Sequence, residues 1–185
     1  MELKAQTRSP KKKSDIKQLR AQGKIPAILY SKGDIGEALV VDAIPFKKII
    51  NQLKPGSLSA TIFDLTFEGK VVKAIVKDIQ YNIITYDVIH LDFVELIDDV
   101  PVTLNIPIEC INAVDCVGVK LGGVLRQVVG HLKVRCLPKD IPSHFELDVK
   151  DVGMFGKRRL SDISLPNTVE PRMGLNTIAV VIGKK

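Results

Sequence analysis

The chain has 185 residues, with 27 Lys plus Arg against 21 Asp plus Glu and a formal net charge of +6. Its 45% hydrophobic and 26% charged content is close to the globular average, which disfavours wholesale disorder, collagen-like structure and a disulfide-packed miniature. One or two domains with a real core are expected. The longest apolar runs, such as Ile25 to Tyr30 and Val128 to Val134, fall far below the ~20 residues that cross a bilayer. The segment Met1 to Arg8 has no apolar stretch of the kind a secretory signal needs, so the expected compartment is the cytosol.

Charge is uneven along the chain. Residues 1–94 hold 15 basic and 10 acidic side chains, residues 95–185 hold 12 and 11, and the first 32 residues alone carry nine Lys or Arg against Glu2 and Asp15. That density suits a polyanion-facing surface, with a solvated basic face as the alternative.

In chain order, Leu3 to Arg8 forms a first strand. Ser9-Pro10 or Ser14 then opens a short helix near residues 10–22, closed by Gly23. In it Ile16 and Leu19 can dock on a core, while Lys13, Lys17 and Arg20 recur at i, i+4 and i+7 and share one face. Ile25 to Tyr30 is a strand ended by the turn Ser31-Lys32-Gly33-Asp34, and Glu37 to Val41 another. Pro45 to Leu53, after Asp42 and before Pro55-Gly56, is a second helix with Phe46, Ile49, Ile50 and Leu53 on its apolar side. Leu58 to Phe67, Val71 to Gln80 and Thr85 to Val94 read as strands, the first two joined by a tight hairpin at Phe67-Glu68-Gly69-Lys70. On the last of them alternation turns Ile89, Leu91 and Phe93 inward and puts His90 and Asp92 side by side outside.

Ile97-Asp98-Asp99-Val100-Pro101 marks a boundary, which divides the chain into residues 1–96 and 97–185. The second part reads as all-β, with strands at Val102 to Glu109, Val124 to Gln127, Leu132 to Leu137, Phe145 to Val149 and Thr177 to Ile182. Gly118 to Gly123 is read as a glycine-containing loop.

The search for chemistry is thin. There is no G-x-S-x-G, no H-E-x-x-H, no Walker loop and no G-x-G-x-x-G. Cys110, Cys116 and Cys136 have neither metal nor redox spacing and are read as reduced structural thiols, and His131 and His144 follow no ligand pattern. His90 with Asp92 could orient a general base, but no nucleophile accompanies them. The bland reading of that pair is a surface contact. Its company favours another: a basic helix stripe and Tyr30, an aromatic beside the Lys32-Gly33 turn, supply the cationic, hydrogen-bonding and stacking groups that RNA recognition uses. No enzyme, cofactor, metal or small-molecule substrate is expected.

These same residues carry a resemblance. Leu19-Arg20-Ala21-Gln22-Gly23-Lys24-Ile25-Pro26-Ala27-Ile28-Leu29-Tyr30, Lys77-Asp78-Ile79-Gln80 and Ile89-His90-Leu91-Asp92-Phe93 resemble, in order and spacing, the bacterial 5S rRNA-binding ribosomal protein family, number twenty-five of the large subunit. Leu121 to Leu125, Cys136 to Pro142 and Leu147-Asp148-Val149 extend it to the two-domain, general stress protein Ctc type.

The resemblance implies a mainly β chain: a six-stranded β-barrel with short helices, then a second β-rich domain. It also implies a structural role in the large subunit, near other rRNA and ribosomal proteins in the cytoplasm, with the barrel on the loop E region of 5S rRNA. The free protein would be a monomer. Carried over residue by residue, the RNA-contacting positions are Arg8, Lys13, Lys17, Arg20, Tyr30, Gln80, His90 and Asp92. The sequence departs from the family's habit at Lys12-Lys13-Ser14, where Gly-Lys-Gly is usual, at Lys17, usually Arg, and at Ser31, usually Gly. The alternative is a generic RNA-binding or stress-response interaction protein acting off the ribosome.

Overall fold

The computed structural model describes residues 1–8, 13–31 and 36–184, Lys13 by its backbone alone. The expected helix start at Ser9-Pro10 and the turn residues Lys32-Gly33-Asp34 lie outside the described residues. Packing separates two units, Met1–Asp98 and Asp99–Lys185.

The first unit is built from strands too short and too half-sided to stand alone. They are β1 (Glu2–Thr7), β2 (Lys24–Tyr30), β3 (Glu37–Asp42), β4 (Ile62–Phe67), β5 (Lys70–Tyr81) and β6 (Val88–Glu95), with helices α1 (Lys13–Ala21) and α2 (Ala43–Gln52). They close in the order β1-β3-β2-β6-β5-β4, with β4 returning to β1 in parallel, so no strand edge is left to pair elsewhere. The six-stranded barrel expected from the resemblance is present.

Alternation fills the barrel with Leu3, Ile25, Leu39, Leu65 and Leu91, and α2 adds Phe46. Phe63 sits at the centre of an aromatic trio, its ring centroid 6.3 Å from Phe46 and 6.1 Å, edge-on, from Phe93. The β4–β5 hairpin turns through Glu68 and Gly69, both left-handed at φ 48 and φ 76, the geometry of a two-residue turn whose twist matches its strands.

Two strand starts move by more than two residues. Ser57–Ala60 is a 3-10 turn rather than the start of β4, because Gly56 at φ 84 redirects the chain and the Thr61 hydroxyl donates to the Ser57 carbonyl at 2.9 Å. Thr85 belongs to a turn rather than to β6. The Asn82 side-chain oxygen accepts from the Ile84 and Thr85 amides at 2.9 and 3.4 Å, and Tyr86 is left-handed at φ 55. Ile83, Ile84 and Tyr86 consequently stand almost fully in solvent.

The second unit is β-rich, as expected. β7 (Val102–Ile111), β8 (Gly123–Gln127), β9 (His131–Cys136), β10 (Phe145–Asp148), β11 (Lys157–Arg159), β12 (Glu170–Pro171) and β13 (Ile178–Lys184) form two sheets, ordered β10-β7-β9-β12 and β11-β13-β8. The short strands β11 and β12 escaped the sequence reading: one is all cationic and the other ends in proline. The supposed loop from Gly118 contains a one-turn helix, α3 (Val117–Lys120). Its glycines serve packing: a Cβ on Gly123 would lie 2.7 Å from both the Gly118 carbonyl oxygen and Ile182. The three cysteines are free, Cys116 and Cys136 buried and Cys110 half-buried. Burial raises the Cys110 thiol, and burial with the charge of Asp140 raises that of Cys136, so neither is an activated nucleophile.

Candidate nucleic-acid interface

The site grows from an irregularity in the β5–β6 ladder. Val76 pairs with Phe93, but the next pairs are Asp78 with Asp92, Ile79 with Leu91 and Gln80 with His90, after which Tyr81 pairs with Val88. Lys77 is thus an extra residue on β5 and Ile89 an extra residue on β6. Each is a bulge that leaves one residue unpaired and re-aims its neighbours.

Between the bulges Ile79 and Leu91 point to the core, while Asp78, Gln80, His90 and Asp92 share the outer face. Ile89 therefore does not join the core as simple alternation predicts: its bulge gives that place to Val88. Strand β2 continues the face, since Ile28 pairs with Asp92 and Tyr30 with Val94.

His90 Nδ1 and Asp92 Oδ1 approach to 3.0 Å, with both side chains mostly covered. The contact is a close polar approach rather than an aligned hydrogen bond, because neither atom has a partner of proper hydrogen-bond geometry. Gln80 beside them is exposed. Tyr30 is also exposed, and its ring lies against the backbone of Gly36, where a Cβ would come within 3.0 Å of the ring and 2.7 Å of Ile28.

Helix α1 rests on β2 with Ile16 and Leu19 half-buried beneath it and Lys17 and Arg20 exposed above. The basic stripe is therefore turned away from the core. Arg20 Nε donates to the Ile89 carbonyl at 3.0 Å, a group that the β6 bulge removes from the ladder, so the helix stripe is tied directly to the strand that carries His90. Among the described residues the two terminal nitrogens of the guanidinium have no partner and remain for a ligand.

Arg8 is placed otherwise. Its Nε donates to the Leu39 carbonyl at 3.2 Å, which holds it over β3, two strands from β6. The Lys13 side chain lies outside the described residues. Gln80, His90, Asp92 and Arg20 thus form a continuous group, with Lys17 and Tyr30 flanking it. Sequence reasoning missed Asp78, which stands opposite Asp92, and the bulged, exposed Lys77. Neither bulge has a signal such as an interior glycine.

Among the described residues no group of three or more His, Cys, Asp or Glu side chains is arranged to hold a metal, and no helix is long and apolar enough to cross a membrane. Residues 3–93 match the Ribosomal L25p family and residues 101–185 match the family described as Ribosomal protein TL5, C-terminal domain. Over 185 residues, all of both chains, the sequence is 53% identical to the large ribosomal subunit protein bL25 of Chlamydia pneumoniae. It is 52% identical, over the same full extent, to the protein so named in Chlamydia muridarum.

Proposed function

This chain belongs to the ribosomal L25p family, continued by a TL5-type C-terminal domain, and from that premise we propose that it binds 5S rRNA at the loop E region through the outer face of its barrel. It is a structural ribosomal protein and not an enzyme. In this reading it works in the cytoplasm as part of the large subunit, residues 1–96 carry recognition, and residues 97–185 face neighbouring rRNA or protein. The observation that carries the reading is the bulge-bracketed segment that gathers Gln80, His90 and Asp92 beside the anchored Arg20.

The physical division of labour follows from A-form RNA. Its minor groove is wide and shallow and displays 2′-hydroxyls and base edges, whereas its major groove is too narrow to admit side chains. Arg8, Lys13, Lys17 and Arg20 neutralise phosphates and set the register of the protein on the duplex. Gln80 and His90 can both donate and accept, so they suit hydroxyls and base edges. Asp92 can only accept when ionised and would repel a phosphate, so it selects positions that offer a donor. Tyr30 supplies a flat apolar surface for a ribose or base.

The test is a titration of the full chain against purified 5S rRNA and a length-matched duplex at two salt concentrations. Preference for 5S rRNA that persists at the higher salt is expected. Equal affinity for both RNAs at both concentrations overturns the reading.

A further inference from the structure

A second feature lies beside this face. A cleft of about 470 Å³ opens between the end of α1, the start of α2 and the turn that joins β5 to β6. Its volume is in the range of small-ligand sites. Arg20, Lys24, Lys47 and Asp87 give it three cations against one acid, and its accessible apolar lining includes Ala21, Ala43 and Ile89.

The charges are not equivalent. Lys47 is ion-paired with Asp87, whose carboxyl it holds below the usual carboxylate range. The acid is therefore neutralised within the cleft. Lys24 stands across the ladder from Asp42 and makes no ion pair among the described residues. With Arg20, it leaves the cleft lining with more positive than negative charge.

The turn contributes a polar group of fixed orientation. Because Asn82 Oδ1 is used to accept the Ile84 and Thr85 amides, its amide nitrogen is what remains to donate. A cationic side, an apolar side and a fixed donor match the three parts of a nucleotide: phosphate, base face and base edge. A bare anion would use only the first.

Resting on the proposed RNA-binding reading, we infer that this cleft receives one unstacked nucleotide of the bound rRNA, its phosphate on Arg20 and Lys24 and its base against Ala21, Ala43 and Ile89. Arg20 thereby links two parts of one interface, the outer face through the Ile89 carbonyl and the cleft through its free nitrogens. Recognition of an unstacked base on its face and edge is a mode that single-stranded or bulged RNA allows and a regular duplex does not.

The experiment uses the full chain, purified 5S rRNA and acylation probing of 2′-hydroxyls at single-nucleotide resolution. Two variants address the cleft without touching the outer face. Ala21→Leu narrows it from an exposed, helix-compatible position, and Lys24→Gln removes its free charge. Lys73→Gln, on an exposed position of β5 that does not line the cleft, is the charge control.

The wild type is expected to alter reactivity at one unpaired nucleotide in addition to a continuous protected stretch. Both cleft variants return that nucleotide to its free-RNA reactivity and weaken binding about tenfold, the scale of one lost charge-assisted contact, while the continuous protection and the melting temperature persist. If both variants keep the whole pattern and bind within twofold of the wild type, the inference is overturned and the outer-face reading stands. If the wild type protects no part of 5S rRNA, the outer-face reading falls and takes this one with it.

Discussion

His90 and Asp92 stand two residues apart on one face of β6 and bring Nδ1 and Oδ1 to 3.0 Å, because both side chains are outward and the strand keeps a regular pleat between them. The acid faces one ring nitrogen, so the other is the one available to a ligand. This makes the pair an oriented unit rather than two independent surface groups, and it costs the surface part of its positive potential.

Replacing Asp92 with Asn keeps the shape and removes the charge. Discrimination between 5S rRNA and generic duplex RNA is expected to fall roughly ten- to a hundredfold, the scale of the about 1.5 to 3 kcal/mol associated with losing a hydrogen bond that involves a charged group, while the salt dependence stays nearly unchanged. Paired titrations on the two RNAs check it. Equal losses on both would remove Asp92 from the recognition set.

Lys17 is exposed on the helix stripe and supplies charge without a fixed direction. Lys17→Ala is expected to weaken binding to every RNA and to reduce the logarithmic salt slope by roughly 0.7 to 0.9, the value for one phosphate contact. Affinities measured over a salt series give that slope directly.

Gly36 acts on Tyr30 through space. A methyl group there would meet Ile28 at 2.7 Å and the Tyr30 ring at 3.0 Å, so the ring must shift. Gly36→Ala is expected to lower RNA affinity in the same sense as Tyr30→Ala, and the double variant to be no worse than Tyr30→Ala alone. Additive losses in that cycle would show that the two residues act separately.

Phe63 ties α2 to the barrel by touching both Phe46 and Phe93. Phe63→Ala leaves a cavity at the centre of the first unit and is expected to cost about 3–5 kcal/mol. Urea unfolding followed by a probe in that unit measures it, and a loss below 1 kcal/mol would mean the trio is not central to the core.

Asp148 gives the second unit a source of acid sensitivity. Its carboxyl is held below the usual range, first by the Lys150 backbone N–H at 2.9 Å and then by Asn112 Nδ2 at 3.1 Å. With the folded value depressed, its stabilisation is complete above the ordinary carboxylate value near ~4 and disappears as pH falls through the folded value. Asp148→Ala is expected to lower the melting temperature at neutral pH, and the gap to the wild type to close as the solution is acidified below that value. A gap independent of pH would assign the loss to something other than charge.

Much of this was legible in the sequence, for identifiable reasons. Regular alternation in β6 turned His90 and Asp92 outward, and the i, i+4, i+7 spacing put Lys17 and Arg20 on one exposed face. Leu58 misled because its apolar neighbourhood looked like strand, while Gly56 and the Thr61 hydroxyl bend that segment into a turn whose leucine packs on the barrel core. Ile89 misled for the opposite reason: its place in the alternation was right, but the strand slips by one residue there. Gln80 entered the candidate set only through the family resemblance, since continuing the inward alternation of Ala74 and Val76 would have buried it. The group was visible in outline; the ladder that assembles it was not.

The paired bulges have a consequence for length. The β5–β6 ladder runs in one register before Lys77 and returns to it after Ile89, so the extra residue on one strand is cancelled by the extra residue on the other. Deleting either alone leaves a one-residue mismatch that must be absorbed elsewhere in a closed barrel, and it swaps inward and outward positions along part of a strand. Deleting both restores the count on each side. The segment between them can therefore change length only in matched steps, and its outer face behaves as a cassette set into the barrel wall, replaceable as a unit and intolerant of a single insertion.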